Sequence, residues 1–253
     1  MPLEHELARG LAAAWDAAPI ALPAALVPAD AAAAHRVQHL TLQQRGWRLG
    51  AWKVGAKGAD GPAQGAPLPP PLTSPATLPF ARRDRFIGLE LEIAFRIGRH
   101  LAARAEPYSD AEVLASVDGV CAAIELVASR LVAEPAPDKL AQLADLQNHG
   151  ALVAGDCVPY DPAFPFATPP LSWHFDTQGD AQDIAPAAPA NPAGDPRRLL
   201  AWVVNHSLAQ GIAVEPGTLI TTGTYTGAYR PAGPGTALGR IAGLPAVQLT
   251  LCS

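Results

Sequence analysis

The sequence has no apolar run long enough to cross a membrane, and no block of like charge. Its apolar stretches are short and interrupted, as in Leu11-Ala12-Ala13-Ala14-Trp15, well below the roughly 20 residues that a membrane helix needs. Much of the 49% hydrophobic content is alanine, so a mean hydropathy of +0.12 does not signal a membrane protein. Basic residues do not cluster: Arg82-Arg83 and Arg197-Arg198 are only pairs, and the net charge is -5. That argues against a nucleic-acid partner, which requires a basic surface to neutralise phosphates. The three cysteines, Cys121, Cys157 and Cys252, are odd in number and far apart along the chain. They suit buried or free thiols better than a disulfide framework or a zinc site. Glu4, His5 and Glu6 stand where a secretory signal would carry positive charge, so a cytoplasmic location is expected.

Nucleotide and hydrolase motifs are missing too. Gly-x-Gly-x-x-Gly after a strand is absent, as is Gly-x-Ser-x-Gly. Gly50 to Lys57 has a phosphate-loop glycine spacing, but the lysine falls one position late and no Ser or Thr follows.

What is present fits one sizeable globular unit or two small ones. Residues 1–50 read as a helical arm: two helices between Leu3 and Gly46, the second capped by Asp30. The arm would pack on the main domain or on a neighbouring subunit. Residues 51–253 read as the main domain. Trp52-Lys53-Val54 is a short strand ending at Gly55, and the Gly/Pro-dense stretch from Ala56 to Pro79 reads as loop; a loop that long suggests a lid. Leu89 to Ile97 alternates apolar and polar residues and is the clearest strand. A helix is expected over Asp110 to Ala122, capped by Asp110, followed by strands at Ala123–Val127 and Ala151–Ala154. Asp195-Pro196 opens a helix that Gly211 stops. Strands follow at Thr218–Thr222 and Ala246–Leu251. Strands outnumber helices after residue 50 at irregular spacing, which favours an α+β sheet structure over a βαβ repeat.

Glu90 and Glu92 lie two apart on a strand and so share one face, while Leu89, Leu91, Ile93, Phe95 and Ile97 form an apolar face opposite. A solvated edge strand would accommodate such a pair; flanking Phe86, Ile87 and Ala94 make this segment look central instead. Two carboxylates held together repel unless a cation neutralises them, and hard divalent ions take such oxygen ligands. Glu125 is a lone acid in Ala122-Ala123-Ile124-Glu125-Leu126-Val127, where an unpaired charge is costly. It could join the same metal or pair with Arg130 or Arg96. Lys53, flanked by apolar residues, is a candidate general acid/base, although such a lysine alone more often snorkels to the surface. His35 and His39, one helical turn apart, read as packing or surface residues.

Taken in order, these segments resemble the fumarylacetoacetate hydrolase superfamily. The motifs are Trp52-Lys53-Val54-Gly55, Glu90-x-Glu92-Ile93-Ala94-Phe95, Ala123-Ile124-Glu125-Leu126-Val127-Ala128-Ser129-Arg130, Ala144-Asp145-Leu146-Gln147-Asn148, Gly155, Asn191-Pro192 and Gly223-Thr224-Tyr225-Thr226. The branch of 2-keto-4-pentenoate hydratases and 4-oxalocrotonate decarboxylases is the nearest in pattern. The resemblance implies a mixed β-sandwich roll and a homo-oligomer. It also implies Mg²⁺ or Mn²⁺ held at Glu90, Glu92 and Glu125, with Lys53 as the proton carrier. Gly223, Thr224 and Gln147 would contact a small 2-oxo acid. The implied activity is hydration of a 2-hydroxydienoate in the catabolism of aromatic-derived acids. Decarboxylation of an oxalocrotonate-type acid, hydrolysis of an acylpyruvate, or binding without catalysis are the alternatives. Hydrolysis would call for a His-Glu pair, and neither His100 nor His149 forms an obvious one in sequence. Related hydratases also carry a Pro-Asp-x-Gly-x-Leu-like segment after the lysine, whereas Gly65 to Leu72 holds no carboxylate and Asp60 is out of register.

Overall fold

The architecture is described from a computed structural model covering residues 2–80, 86–134 and 136–253; the Arg82-Arg83 pair lies outside the described residues. The described residues form five α-helices: α1 (Leu3–Ala14), α2 (Ala31–Gln44), α3 (Asp110–Leu114), α4 (Lys139–Ala144) and α5 (Leu200–Ala209). The strands run β1 (Ala51–Gly55), β2 (Gln64–Leu68), β3 (Leu72–Thr73), β4 (Ala76–Pro79), β5 (Phe86–Ile97), β6 (Val117–Ala128) and β7 (His149–Ala154). They continue as β8 (Val158–Pro159), β9 (Leu171–Thr177), β10 (Asp180–Asp183), β11 (Leu219–Thr221), β12 (Gly235–Ile241) and β13 (Val247–Cys252).

These strands form two sheets, ordered β2-β1-β11-β5-β6-β7-β3 with β8 also on β6, and β10-β9-β12-β13-β4. The apolar face of β5 is buried against the second sheet: Leu91, Ile93 and Phe95 share one core with Trp173, Phe175, Val247 and Leu249. The sheets approach so closely that a Cβ on Gly239 would sit 2.3 Å from the Leu91 side chain. With the odd-numbered positions of β5 committed to this core, period-two alternation turns Glu90 and Glu92 to the opposite face. The expected mixed β-sandwich with an N-terminal helical arm is the fold observed.

The arm packs on its own main domain. Leu7, Leu11, Ala34 and Val37 bury against Leu131, Ala141, Leu143 and Ala144. Buried Gln38 donates from Nε2 to the carbonyl of Leu143 at 2.6 Å. The Asp30 side chain accepts from Ala33 N, capping α2 as expected. No described helix is long and apolar enough to cross a membrane.

Two element assignments need correction. The Ala56–Pro79 stretch is not all loop, because β2, β3 and β4 fall inside it. Pro67 and Pro79 disguised these strands, and both are tolerated because β2 and β4 are edge strands. The longest piece of that stretch left without regular structure is residues 56–63, between β1 and β2, too short for the broad lid expected. The helix expected over Asp110 to Ala122 ends at Leu114, and β6 begins at Val117. Ser109, not Asp110, is the N-cap, forming a reciprocal capping box with Glu112. The remaining residues pair with β5 instead, Val120 opposite Phe95 and Cys121 opposite Ala94; pairing across a central strand outweighs local helix propensity.

Candidate metal centre

The β5–β6 register places Glu90 directly opposite Glu125 and Glu92 opposite Ala123. Directly opposed like charges destabilise a sheet, and here a third carboxylate stands two residues along. Each of Glu90, Glu92 and Glu125 offers an oxygen within 4.8 Å of the others'. Glu92 and Glu125 are buried and Glu90 is partly so.

Their surroundings differ. The Glu125 Oε1 atom accepts from Lys53 Nζ at 2.6 Å and lies 3.1 Å from His149 Nδ1. Burial raises its pKa, but Lys53 and His149 outweigh burial and hold the carboxyl below its ordinary value. Burial keeps His149 neutral despite Glu125, so its Nδ1–H donates to the carboxylate. Glu92 Oε2 accepts from the Thr221 hydroxyl and from Gly223 N at 3.0 Å. Gly223 has φ +92°, a conformation glycine adopts without penalty, and the turn directs its N–H at Glu92. Burial first, then the Glu125 charge, push Glu90 up to about 7 and Glu92 up to about 8. Without a cation, this cluster manages its charge by retaining protons.

A divalent ion fits this set. The three donors are hard oxygens, their opposition in the sheet calls for positive charge, and Glu125 Oε2 is buried with no hydrogen-bond partner. An orphaned carboxylate oxygen facing two other carboxylates is what an oxygen-coordinated cation would satisfy.

Lys53 reaches the cluster from β1, whose residues 52 and 54 point into the core. Besides Glu125, its Nζ donates to the Gln147 carbonyl at 3.1 Å. That carbonyl is presented by an uncommon backbone: Leu146, Gln147 and Asn148 have φ of 48°, 52° and 58°. Three consecutive left-handed residues other than glycine are strained. Arg130 and Asp145 hold the turn in place. Arg130 Nε donates to Asp145 Oδ1 at 2.6 Å, and its Nη2 to the Asp145 carbonyl at 2.9 Å. Arg130 also donates to the His149 carbonyl, and Trp15 of the arm packs under its guanidinium, 4.1 Å from centroid to Cζ.

These groups open onto a cavity of about 590 Å³, within the range of small-molecule sites. Lys53 and the three glutamates line it together with Gln64, Asn191 and Thr224. Asn191 Nδ2 donates to the carbonyls of Thr222 and Gly223 at 2.9 and 3.2 Å, bracing the turn that supports Glu92.

Residues 71–243 match the family model described as fumarylacetoacetate (FAA) hydrolase C-terminal. The chain belongs to the fumarylacetoacetate hydrolase family. No curated protein sequence matches it. Among solved structures, the 4-oxalocrotonate decarboxylase from Pseudomonas putida G7, complexed with magnesium and adipate, superposes with a TM-score of 0.79 at 18% identity, over 98% of this chain and 97% of that one. The 2-hydroxyhepta-2,4-diene-1,7-dioate isomerase from Mycobacterium marinum matches with a TM-score of 0.53 at 19% identity, over 80% of this chain and 73% of that one. At these identities the likeness speaks to the fold alone.

In this member of the family, Lys53, Glu90, Glu92, Glu125, Gln147, Gly223 and Thr224 all line one cavity. The Gly223 N–H is engaged by Glu92 rather than facing the cavity free. The alternative pairing of Glu125 with Arg130 or Arg96 does not occur: Arg130 pairs with Asp145 and Arg96 with Asp118. His149 was missed. It pairs with Glu125, a contact visible only once β6 and β7 lie side by side. Gln64 and Asn191 arrive from an edge strand and a loop, and no pattern in the sequence marks Gln64.

Proposed function

We propose that the protein is a divalent-metal-dependent lyase acting on a small 2-oxo acid through its enolate, with loss of CO₂ as the reaction its site fits best. The observation that carries this reading is the distribution of carboxylates. Among the described residues lining the cavity, every carboxylate belongs to the Glu90, Glu92 and Glu125 cluster. None is left over as a separate base to activate water. His149 is wholly buried behind Glu125 and does not line the cavity, so it does not serve as the base of a hydrolase.

When bound, a Mg²⁺ or Mn²⁺ ion at the triad would supply Lewis-acid stabilisation of developing negative charge on the 2-oxo oxygen. The chain's own groups do the rest. Thr224 and the Gln147 side chain are the proposed contacts for the 1-carboxylate, and Gly223 acts through Glu92. Departing CO₂ leaves its bonding pair conjugated with the 2-oxo group. Lys53 Nζ, held by Glu125 and the Gln147 carbonyl, then delivers a proton to the enolate. The extensive likeness in fold to a magnesium-complexed 4-oxalocrotonate decarboxylase supports this reading.

Hydration of a 2-hydroxydienoate is the second reading. It is favoured by the gathering of the motifs shared with hydratases into one cavity, and it uses the same enolate. Both readings carry with them a cytoplasmic homo-oligomer and a small-molecule partner.

The deciding experiment incubates the protein with Mg²⁺ and a panel of 2-hydroxydienoates, oxalocrotonate-type diacids and acylpyruvates. CO₂ release from the diacids is expected; hydration without CO₂ release would replace this reading with the second. Glu92→Gln is expected to abolish both Mg²⁺ binding and turnover. Lost binding with turnover unchanged would overturn the metal-dependent mechanism.

A further inference from the structure

Cys121 and Cys157, distant in sequence, are neighbours in the fold. Strands β6 and β8 pair Gly119 with Pro159 and Val120 with Val158, while β6 and β7 pair Ala123 with Ala154, so Cys121 stands across from the short link between β7 and β8 that carries Cys157. Beyond them, Gly155 N donates to the Ala122 carbonyl at 2.9 Å, fixing the segment from its other side. Cys157 packs against the buried cluster that contains Cys121, close enough for each thiol to be the main influence on the other's pKa.

The two sulfurs are unequal. Cys121 is buried and Cys157 partly exposed. The neighbouring Cys121 thiol, aided by Arg96 and opposed by burial and by Asp118 and Asp156, holds Cys157 down to about 7, whereas Cys121 is pushed well above the usual thiol range. Arg96 lies beside this pair: its Nη2 is 3.0 Å from where a Cβ on Gly119 would be. A partly exposed thiol with a neighbouring cation has the surroundings of a reactive cysteine, and the buried thiol beside it those of a resolving one.

We propose that Cys157 and Cys121 are a reversible oxidation site that converts to an intramolecular disulfide on exposure to a hydroperoxide. The Cys157 thiolate attacks the peroxide, breaking the O–O bond and forming a sulfenic acid while the other oxygen leaves as water or an alcohol. The Cys121 sulfur then attacks Cys157, the S–O bond breaks, and the hydroxyl departs with the thiol proton as water. The two thiols lose two electrons in all and the peroxide gains them. The bridge closes a loop holding Glu125, Asp145, Gln147 and His149, so oxidation staples together the residues that shape the metal centre.

The test treats the full-length protein with hydrogen peroxide and maps its peptides without reduction by mass spectrometry. The expected product is a Cys121–Cys157 linked peptide that dithiothreitol reverses, with Cys252 still alkylatable, and a melting temperature raised by roughly 5 °C. Cys157→Ser should abolish the link, and Cys121→Ala should leave a Cys157 sulfenic acid trapped by dimedone. Should Cys121→Ala fail to fold, the pH dependence of Cys157 alkylation in the unaltered protein, with an inflection near 7, tests the same assignment. Over-oxidation of Cys157 with Cys121 untouched, or links only between chains, would overturn it.

Discussion

Two buried charge clusters lie a few residues apart, joined by β6, and they are built on opposite principles. Arg130 and Asp145 are balanced: one cation meets one anion, and Asp145 also accepts from Ser129 Oγ and Arg130 N at 3.2 and 2.8 Å. Glu90, Glu92 and Glu125 are not balanced. Among the described residues Lys53 is their only close cation, one carboxylate oxygen has no partner, and two of the three carboxyls are driven up by burial and mutual repulsion. A satisfied cluster holds a shape, here the left-handed turn at Leu146 to Asn148. An unsatisfied one at the same depth is tolerated where something else completes it. The first is structural and the second functional, and the difference can be tested by breaking each in turn.

The largest expected effect is on the balanced side. Arg130→Ala leaves Asp145 buried and unpaired, and should cost about 3–5 kcal/mol of stability, read by urea denaturation. A loss under about 1 kcal/mol would mean that the turn is held by other contacts. On the unbalanced side, Lys53→Met should lower kcat by about 10²–10³-fold, with the fold intact by circular dichroism. Unchanged turnover would remove Lys53 from the proton path.

An intermediate effect concerns pH. Glu90 and Glu92 have folded-state pKa values above their ordinary ones, at about 7 and about 8. Between the ordinary carboxylate range and pH 8 the folded state therefore binds more protons than the unfolded state. Their contribution is fully present below about pH 4.5 and is lost as pH rises through 7 to 8. Metal-free protein should accordingly melt lower at pH 8 than at pH 6. Saturating Mg²⁺ should narrow or reverse that difference, because the ion displaces the protons. A melting temperature that rises with pH without metal would contradict the unbalanced cluster.

The contrast also explains what could be read in advance. The triad was legible because alternation along Leu89 to Ile97 put two like charges on one face, and Glu125 stood alone in an apolar run. The edge strands were hidden by proline. β12 was missed for a related reason: its Gly-Thr-Ala-Leu-Gly-Arg-Ile run has low strand propensity, yet Gly239 is there because Leu91 of the facing sheet occupies the space a side chain would take. Glycine chosen by packing between sheets leaves no local signal. The same holds for His149 and for the Cys121–Cys157 pair, whose partners are set by register between strands remote in sequence.

The smallest effects separate the clusters most finely, since each loses one hydrogen bond. Ser129→Ala removes one of the donors to Asp145, and should cost about 1 kcal/mol of stability without changing metal affinity. Thr221→Val removes the hydroxyl that Glu92 accepts from, leaving only the Gly223 N–H. A carboxylate that retains a proton when metal-free loses little stability by this change. Its orientation toward the ion suffers more, and a supporting contact of this kind is worth about 10–100-fold in metal affinity. Thr221→Val should therefore weaken Mg²⁺ binding by about 10-fold or more in calorimetry while the metal-free protein melts almost as before. If instead Thr221→Val lost stability and kept its Mg²⁺ affinity, the two clusters would be alike in kind, and the triad would be one more structural network.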